Sequence, residues 1–301
     1  MLNTYVIEGG IGKCVAFTAV IPALVEKSGE PIQVYTPYID VFAGNPLVKM
    51  VYDMGSIPID DPRIAESDNI FYPEPYKSNF SKGDQHLIES FCEILGVEYD
   101  HTMRPKIYTD HIKESVSEWK KKNKIKEKYI LLQFSGGQTP IGWSEQNQYV
   151  SSNPNRNYPP YFVNQVVSHL QKEYPEHTLI DVTLPNEPGY PGVIKCDLHW
   201  GAIHELLKDA EGWIGIDSCM NHFSASTGTP GVCLWANTRW TQFGYMHNAN
   251  VSFHMKDIND YFKADINDPR NIMVDPLAVV KTFEEFILQK KHSVPIECAH
   301  G

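Results

Sequence analysis

The feature that most constrains the fold of this chain is an alternation of apolar strand segments and helices that occurs twice. Residues 4–10, "TYVIEGG", are typical of a buried strand that ends in a glycine turn, and an apolar helix pattern follows them. Residues 129–137, "YILLQFSGG", start the same order again in the second half. Strands that alternate with helices predict a parallel sheet covered by helices. The sequence therefore predicts an α/β protein with two doubly wound, Rossmann-like halves facing each other across a cleft.

A charged segment separates the two halves. Residues 111–128, "HIKESVSEWKKKNKIKEK", contain few apolar residues and predict a solvated helix followed by a linker. We place the boundary there, giving an N-terminal domain of residues 1–124 and a C-terminal domain of residues 125–301. The last helix is predicted to begin at Asp275, a plausible cap, with Pro276 in its first turn, and to pack near the interdomain region.

Composition restricts the class of protein. Hydrophobic residues make up 42% of the chain and charged residues 21%, which is typical of a soluble globular protein. No apolar run approaches the roughly 20 residues that span a bilayer, and the N-terminus lacks the pattern of a signal peptide. The six cysteines form no CxxC pair, so neither a zinc site nor a disulfide framework is indicated. We expect a reduced, cytoplasmic protein without a transmembrane segment, and the net charge of −11 argues against a broad polyanion-binding surface.

Residues suited to phosphate binding follow the first strand of the second half. Ligands of open α/β sheets bind at the carboxyl ends of the strands. Ser135, Gly136, Gly137 and Thr139 lie there, and glycine amides and hydroxyl groups are donors that a phosphate accepts. Arg156 precedes the next helix, where its guanidinium could bind a phosphate through two hydrogen bonds.

Two further strand ends in the same half carry polar residues. Glu187 follows the next strand, where a carboxylate could accept hydrogen bonds from a ribose. Asp217, Ser218 and His222 lie where the strand "GWIGID" passes into a helix. These residues could simply cap the helix, or they could contribute to an anion site at its N-terminus. Four such junctions in one half together predict a nucleotide pocket.

Three segments resemble a known family. Residues 214–235, "IGIDSCMNHFSASTGTPGVCLW", resemble the strand–DSG–x–x–H–helix–GTP–strand block of glycosyltransferase family 9, the ADP-heptose:lipopolysaccharide heptosyltransferases, which have the GT-B fold. "RNYPPYFVNQVV" resembles that family's basic–x–aromatic–Pro segment, and "GGIGKCVAFTAVIPAL" its N-terminal glycine turn and helix. The resemblance covers most of residues 5–290. It implies a GT-B enzyme with an N-terminal acceptor domain and a C-terminal donor domain.

The resemblance also implies roles for the candidate residues. Ser135 to Thr139 and Arg156 would hold the diphosphate of a nucleotide-sugar donor, and Glu187 would touch its nucleoside. Three residues of the DSG-like block would line the diphosphate and the sugar: Asp217, Ser218 and His222. The donor would be a substrate, and no cofactor or metal would be required.

Two positions depart from the family pattern. Cys219 stands in place of the glycine of the DSG block, and Lys13 stands where the family has an aspartate, its proposed general base. A lysine with an ordinary pKa is protonated at neutral pH and cannot accept a proton. Lys13 could instead bind a phosphate at the helix N-terminus, or act as the base if burial held it uncharged. Otherwise the base must be another acid near the cleft: Glu8, Asp40 or Glu74.

We therefore expect an inverting glycosyltransferase that moves a sugar from a nucleotide-diphosphate sugar to a hydroxyl acceptor. The resemblance suggests a glycan or lipopolysaccharide core as the acceptor. Lys13, the tyrosines of "FYPEPYKSNFSKGDQH" and the lysine-rich linker would also fit a hydroxymethylated base in DNA, as some phage glycosyltransferases use. The third alternative is a nucleotide-sugar-binding relative without catalytic activity.

Overall fold

The structure, a computed structural model, describes residues 2–83, 85–136, 156–182, 189–236, 238–252 and 269–289. Three of the predicted site residues, Gly137, Thr139 and Glu187, lie outside these residues. The described residues form two sheets, one in each half of the chain, and all of their strand pairs are parallel. The predicted α/β class is confirmed.

The first half contains a four-stranded sheet in the order β3-β2-β1-β4. Its strands are β1 (Asn3–Val6), β2 (Ile32–Thr36), β3 (Val48–Asp53) and β4 (Asn69–Phe71). The helices that accompany it are α1 (Ile11–Phe17), α2 (Ile21–Ser28), α3 (Pro62–Ala65) and α4 (Leu87–Leu95). Pro22 lies in the first turn of α2, and this explains why the apolar pattern after the first glycine turn forms two helices.

The second half contains a six-stranded sheet in the order β10-β9-β8-β5-β6-β7. Its strands are β5 (Tyr129–Gln133), β6 (Thr178–Asp181), β7 (Ile194–Lys195), β8 (Gly212–Ile216), β9 (Gly231–Leu234) and β10 (Ala249–Val251). The remaining helices are α5 (Lys113–Lys122), α6 (Pro160–Glu173), α7 (Gly201–Asp209), α8 (Cys219–Thr227), α9 (Trp240–Phe243) and α10 (Pro276–Phe283). In the described part of the chain, no helix has both the length and the apolar composition needed to cross a membrane.

The chain passes between the halves earlier than the sequence boundary at residue 124. The backbone N–H of Lys106 still donates to Thr18 of the first half. Helix α5 already packs against α7 of the second half, where Trp119 donates to Asp197 and Lys120 pairs with Asp209 at 3.0 Å. The charge of the segment indicated exposure, but its buried Trp119 decides which half it joins.

The terminal helix α10 packs inside the second half, whereas we expected it near the interdomain region. Its buried side chains Val279, Val280 and Phe283 belong to one core with α6 and the second sheet. Asp275 accepts a hydrogen bond from the N–H of Leu277 and caps the helix, as the sequence predicted. The apolar side chains on one face of this helix are buried in the core of the second half, and this is why the helix packs there.

Helices α1 and α8 bring the halves together. Each begins at the carboxyl end of its strand, α1 after β1 and α8 after β8, and the two helices pack against each other. One hydrophobic core spans the contact, and it includes Phe17 of α1 with Met220 and Phe223 of α8. The carboxyl ends of both sheets therefore meet at a common space.

Candidate functional site

A cavity of about 380 Å³ lies between the halves where α1 and α8 begin. The first half lines it with residues 10–13, Tyr38, Tyr76 and Leu87, and the second half with Gln133, Gly136, Arg156, residues 216–219, His222 and Phe243. Six of the residues predicted from the sequence are thus brought together: Lys13, Gly136, Arg156, Asp217, Ser218 and His222. This space has the position expected for the ligand site of facing α/β sheets.

Arg156 and Asp217 form an ion pair on the wall of the cavity. The Arg156 Nη2 atom lies 2.6 Å from Asp217 Oδ2, and the Asp217 side chain is 5% exposed. The charge of Asp217 raises the pKa of Arg156 above its ordinary value. Thr238 also donates its hydroxyl hydrogen to Asp217. Asp217 therefore fixes a permanently charged guanidinium against the cavity.

Ser218, and not Asp217, caps helix α8. The Ser218 hydroxyl accepts a hydrogen bond from the N–H of Met220 at 3.3 Å and donates to Gln133 Oε1. The carboxylate of Asp217 is engaged by Arg156 instead. Ser218 therefore caps the helix, while its neighbour Asp217 holds Arg156. The first turn of α8 faces the cavity, where its positive dipole end attracts anions.

Lys13 forms a second ion pair on the opposite wall. Its side chain is only 5% exposed, and Nζ lies 2.8 Å from Glu74 Oε2. The same Nζ lies 5.7 Å from the centre of the Tyr76 ring, within range of a cation–π contact. Glu74 also accepts a hydrogen bond from the backbone N–H of Tyr76, so the residues form one local unit.

The three candidate acids occupy different environments. Glu74 contacts the cavity wall through Lys13. Glu8 is exposed, and Asp40 is half-exposed, with its Oδ2 atom 3.5 Å from His199 Nε2. None of the three acids lines the cavity, but Glu74 pairs with Lys13, which does. Geometry thus favours Glu74 among the acids that the sequence offered.

His222 is buried in the first turn of α8. Its Nδ1 atom lies 2.9 Å from the hydroxyl of Tyr245. Burial lowers the pKa of His222 to about 4, with opposite, smaller effects from Asp217 and Arg156. The imidazole is therefore neutral at physiological pH.

Close backbone approach shapes both sides of the cavity. A Cβ atom on Gly136 would lie 3.3 Å from Ile216 Cδ1, and one on Gly12 would lie 2.8 Å from His222 Cδ2. The N–H of Gly136 donates to Asn157 Oδ1 at 3.1 Å, while its neighbour Ser135 is half-buried just before it.

Cys219 is half-buried on the wall, and burial raises the pKa of its thiol to about 11. Within the described residues, no group of three or more His, Cys, Asp or Glu side chains is arranged to hold a metal ion.

Several solved glycosyltransferases share this architecture. The chain is similar to the glycosyl transferase family 9 protein of Veillonella parvula DSM 2008, with a TM-score of 0.71 and 12% identity over 96% of this chain and 97% of that one. The chain has the GT-B fold. The E. coli ADP-heptose lps heptosyltransferase II shares this fold at a TM-score of 0.65, with 12% identity over 97% of this chain and all of that one.

The E. coli heptosyltransferase WaaC, solved with ADP, has a TM-score of 0.61 and 10% identity, covering 95% of this chain and all of that one. No protein-family profile and no curated protein matches the chain. The similarity covers nearly the whole length of this chain and nearly the whole length of each of these three GT-B structures. The resemblance noted in the sequence therefore extends to the fold of both halves.

Several residues of the GT-B cavity were not anticipated from the sequence. Gln133, Tyr38, Leu87 and Phe243 line it, and Tyr245 contacts it through His222. Gln133 ends a strand otherwise made of apolar residues, and this was a usable signal. The local sequence around Tyr38 is typical of a turn, and that around Leu87 is typical of a buried helix. Only the packing of the two halves shows that these residues line the cavity.

Proposed function

We propose that this protein is a glycosyltransferase that uses a nucleotide-diphosphate sugar. The observation that carries the proposal is the cavity between the two halves, because both a fixed arginine and the first turn of α8 face it. A guanidinium and helix-end amides are the groups that bind a diphosphate. Similar structures support the choice, since the E. coli heptosyltransferase WaaC is described with ADP.

The donor diphosphate would lie against Arg156 and the start of α8. The Arg156 Nε atom is buried and has no hydrogen-bond partner among the residues that the structure describes. A buried donor without an acceptor is costly, and a phosphate oxygen would remove that cost. Lys13 would supply a second positive charge from the opposite wall. Charge of this kind stabilises the diphosphate as it leaves, a role for which other architectures use a metal.

The reaction would be a direct, inverting displacement. An acceptor hydroxyl oxygen forms a bond to the anomeric carbon, while the bond from that carbon to the diphosphate oxygen breaks and its electron pair leaves with the diphosphate. A base removes the hydroxyl proton. We assign that base to Glu74, because its carboxylate is hydrogen-bonded to Lys13. Lys13 occupies the position where the family has an aspartate. Lys13 would remain a cation.

The acceptor is proposed to be a glycan, with a lipopolysaccharide core as the family resemblance suggests. Tyr38, Tyr76 and Phe243 line the cavity, and aromatic rings pack well against the apolar faces of sugars. The lysine-rich α5 lines a separate groove with Glu205 and Asp209. That position gives the alternative of a DNA acceptor no added support. A cytoplasmic location stays a prediction.

Binding of a nucleoside diphosphate should perturb the second half most. We expect ADP, UDP or GDP to shift backbone amide resonances at Gly136 and from Asp217 to His222, because these residues surround the proposed diphosphate site. Heteronuclear NMR of the labelled protein would measure the shifts. Perturbations confined to residues 2–83 would contradict the placement. Binding without transfer to any hydroxyl acceptor would favour the non-catalytic alternative.

Transfer should continue when divalent metals are removed. Arg156, Lys13 and the α8 amides would supply the positive charge that the leaving diphosphate needs. We expect initial rates with excess EDTA to stay within about twofold of those without it, because no metal takes part in this scheme. Loss of activity that Mg²⁺ or Mn²⁺ restores would show that a metal is required.

A further inference from the structure

Tyr245 lies directly behind His222, on the side away from the cavity. Both residues are 4% exposed, and the Tyr245 hydroxyl oxygen lies 2.9 Å from His222 Nδ1. In the described part of the chain this is the hydroxyl's one hydrogen bond. The two rings meet edge to face, with centroids 5.6 Å apart. The contact is therefore both a hydrogen bond and a packed interface.

The hydrogen bond determines which imidazole nitrogen carries the proton. If Nδ1 carried it, Nδ1 would donate to Tyr245, and the buried phenol hydrogen would lack an acceptor among the described residues. Leaving a buried donor unsatisfied is costly. If Tyr245 donates to Nδ1 instead, the phenol hydrogen is satisfied and the imidazole proton must lie on Nε2.

The Nε2 edge of His222 faces the cavity and helix α1. A Cβ atom on Gly12 would lie 3.2 Å from Nε2 and 2.8 Å from Cδ2. Any side chain at position 12 would therefore clash with the imidazole. His222 also lines the cavity beside Ser218 and Asp217. Its Nε2–H is thus available to an acceptor in the same space as the first turn of α8.

We infer that Tyr245 is a positioning residue that holds His222 as a neutral Nε2–H donor to the diphosphate of the ligand. The inference rests on the proposed function for the identity of that ligand. It assigns His222 no proton transfer. The imidazole contributes one hydrogen bond, and Tyr245 determines that this bond points into the cavity.

The electrostatic setting agrees with a neutral donor. Burial lowers the pKa of His222 to about 4, and Asp217 and Arg156 act on it in opposite directions. His86, which packs edge to face on Tyr245, also has its pKa lowered to about 4 by burial, with a contribution from His222. Neither ring carries charge near pH 7. A neutral imidazole has a single N–H, so its tautomer decides whether it can donate to a ligand.

The tautomer can be measured directly in Tyr245→Phe, which removes the hydroxyl and keeps the ring. Two-dimensional NMR of the ¹⁵N-histidine-labelled, ligand-free protein distinguishes the tautomers, and His222→Gln assigns the signal. We expect His222 as a single Nε2–H tautomer in the wild-type protein and a mixture of tautomers in Tyr245→Phe. A wild-type Nδ1–H tautomer, or an unchanged tautomer in Tyr245→Phe, would overturn the inference.

Ligand affinity gives the second readout. The probe is whichever of ADP, UDP, GDP and CDP binds the wild-type protein most tightly, measured by calorimetry. We expect Tyr245→Phe to weaken binding by about two- to tenfold, in proportion to the fraction of His222 that leaves the Nε2–H tautomer. An affinity that does not change despite a changed tautomer, or no binding of any of the four, would overturn the inference.

Tyr129→Phe is the matched control. Tyr129 is a buried tyrosine of the same half, and its hydroxyl donates to the carbonyl of Leu206 at 2.7 Å, on β5 and away from the cavity. We expect it to leave the His222 tautomer and the affinity unchanged, and equal effects in both variants would overturn the inference. If the tautomer and affinity change as expected but no sugar is transferred to any acceptor, the proposed function fails while the inference stands.

Discussion

Glu74→Gln is expected to lower kcat for sugar transfer by about 10²–10⁴-fold, the usual loss when a general base is removed. Glutamine has nearly the same shape and its amide oxygen can still accept a hydrogen bond from Lys13, 2.8 Å away in the wild-type protein. It cannot take the proton of the acceptor hydroxyl. Donor affinity should change little, because the proposal assigns Glu74 to the acceptor proton and not to the diphosphate. Steady-state kinetics with both substrates varied, together with donor binding, would measure the two effects.

Three variants make this result specific. Glu8→Gln and Asp40→Asn alter the other two acids considered from the sequence, of which Glu8 is exposed and Asp40 pairs with His199. Glu93→Gln is a surface control in the same half, where the carboxylate accepts only from Asn79 and Gln85 among the described residues. We expect kcat within about threefold of wild type in all three, since surface changes rarely matter. A large loss in Glu8→Gln or Asp40→Asn would assign the base elsewhere.

The layered fold could be predicted because its signals are local. Strand alternation, the helix break at Pro22 and the left-handed Gly96 at the end of α4 each depend on a few consecutive residues. The two-residue strand β7 and the half of the chain to which α5 belongs were not predictable in this way. Both depend on contacts with distant residues, such as Trp119 with Asp197.

The site was predictable at the strand ends and not beyond them. A parallel sheet collects the ends of its strands at one edge, so Arg156 and Asp217 could be expected near each other although 61 residues separate them. The pairing of Lys13 with Glu74 was not foreseen: Glu74 lies three residues after β4, but the sequence does not show that β4 is the neighbour of β1 in the sheet. Tyr245 carried no sequence signal, since a buried tyrosine in a loop is usually only part of a core.

Lys13→Met is expected to reduce kcat/KM for the donor by about 10- to 100-fold. Methionine retains an unbranched apolar side chain in place of the buried lysine stem but removes the charge. The loss corresponds to one charge-assisted hydrogen bond to the diphosphate, about 1.5–3 kcal/mol. Lys13→Arg should retain part of the activity, because a guanidinium supplies the charge and cannot act as a base at neutral pH. Initial rates and donor affinity of both variants would measure this.

A double-mutant cycle separates the two functions that Lys13 could have. If Lys13 binds the diphosphate and Glu74 accepts the proton, the two residues act on different groups. Because the two side chains form an ion pair, their losses will not multiply exactly, but the double variant should still be worse than Glu74→Gln. If Lys13 only orients Glu74, the double variant should be no worse than Glu74→Gln, and donor affinity should not change in Lys13→Met. If Lys13→Arg is as inactive as Lys13→Met while both bind the donor normally, the phosphate-binding function is wrong. Lys13 itself then becomes the better candidate for the base.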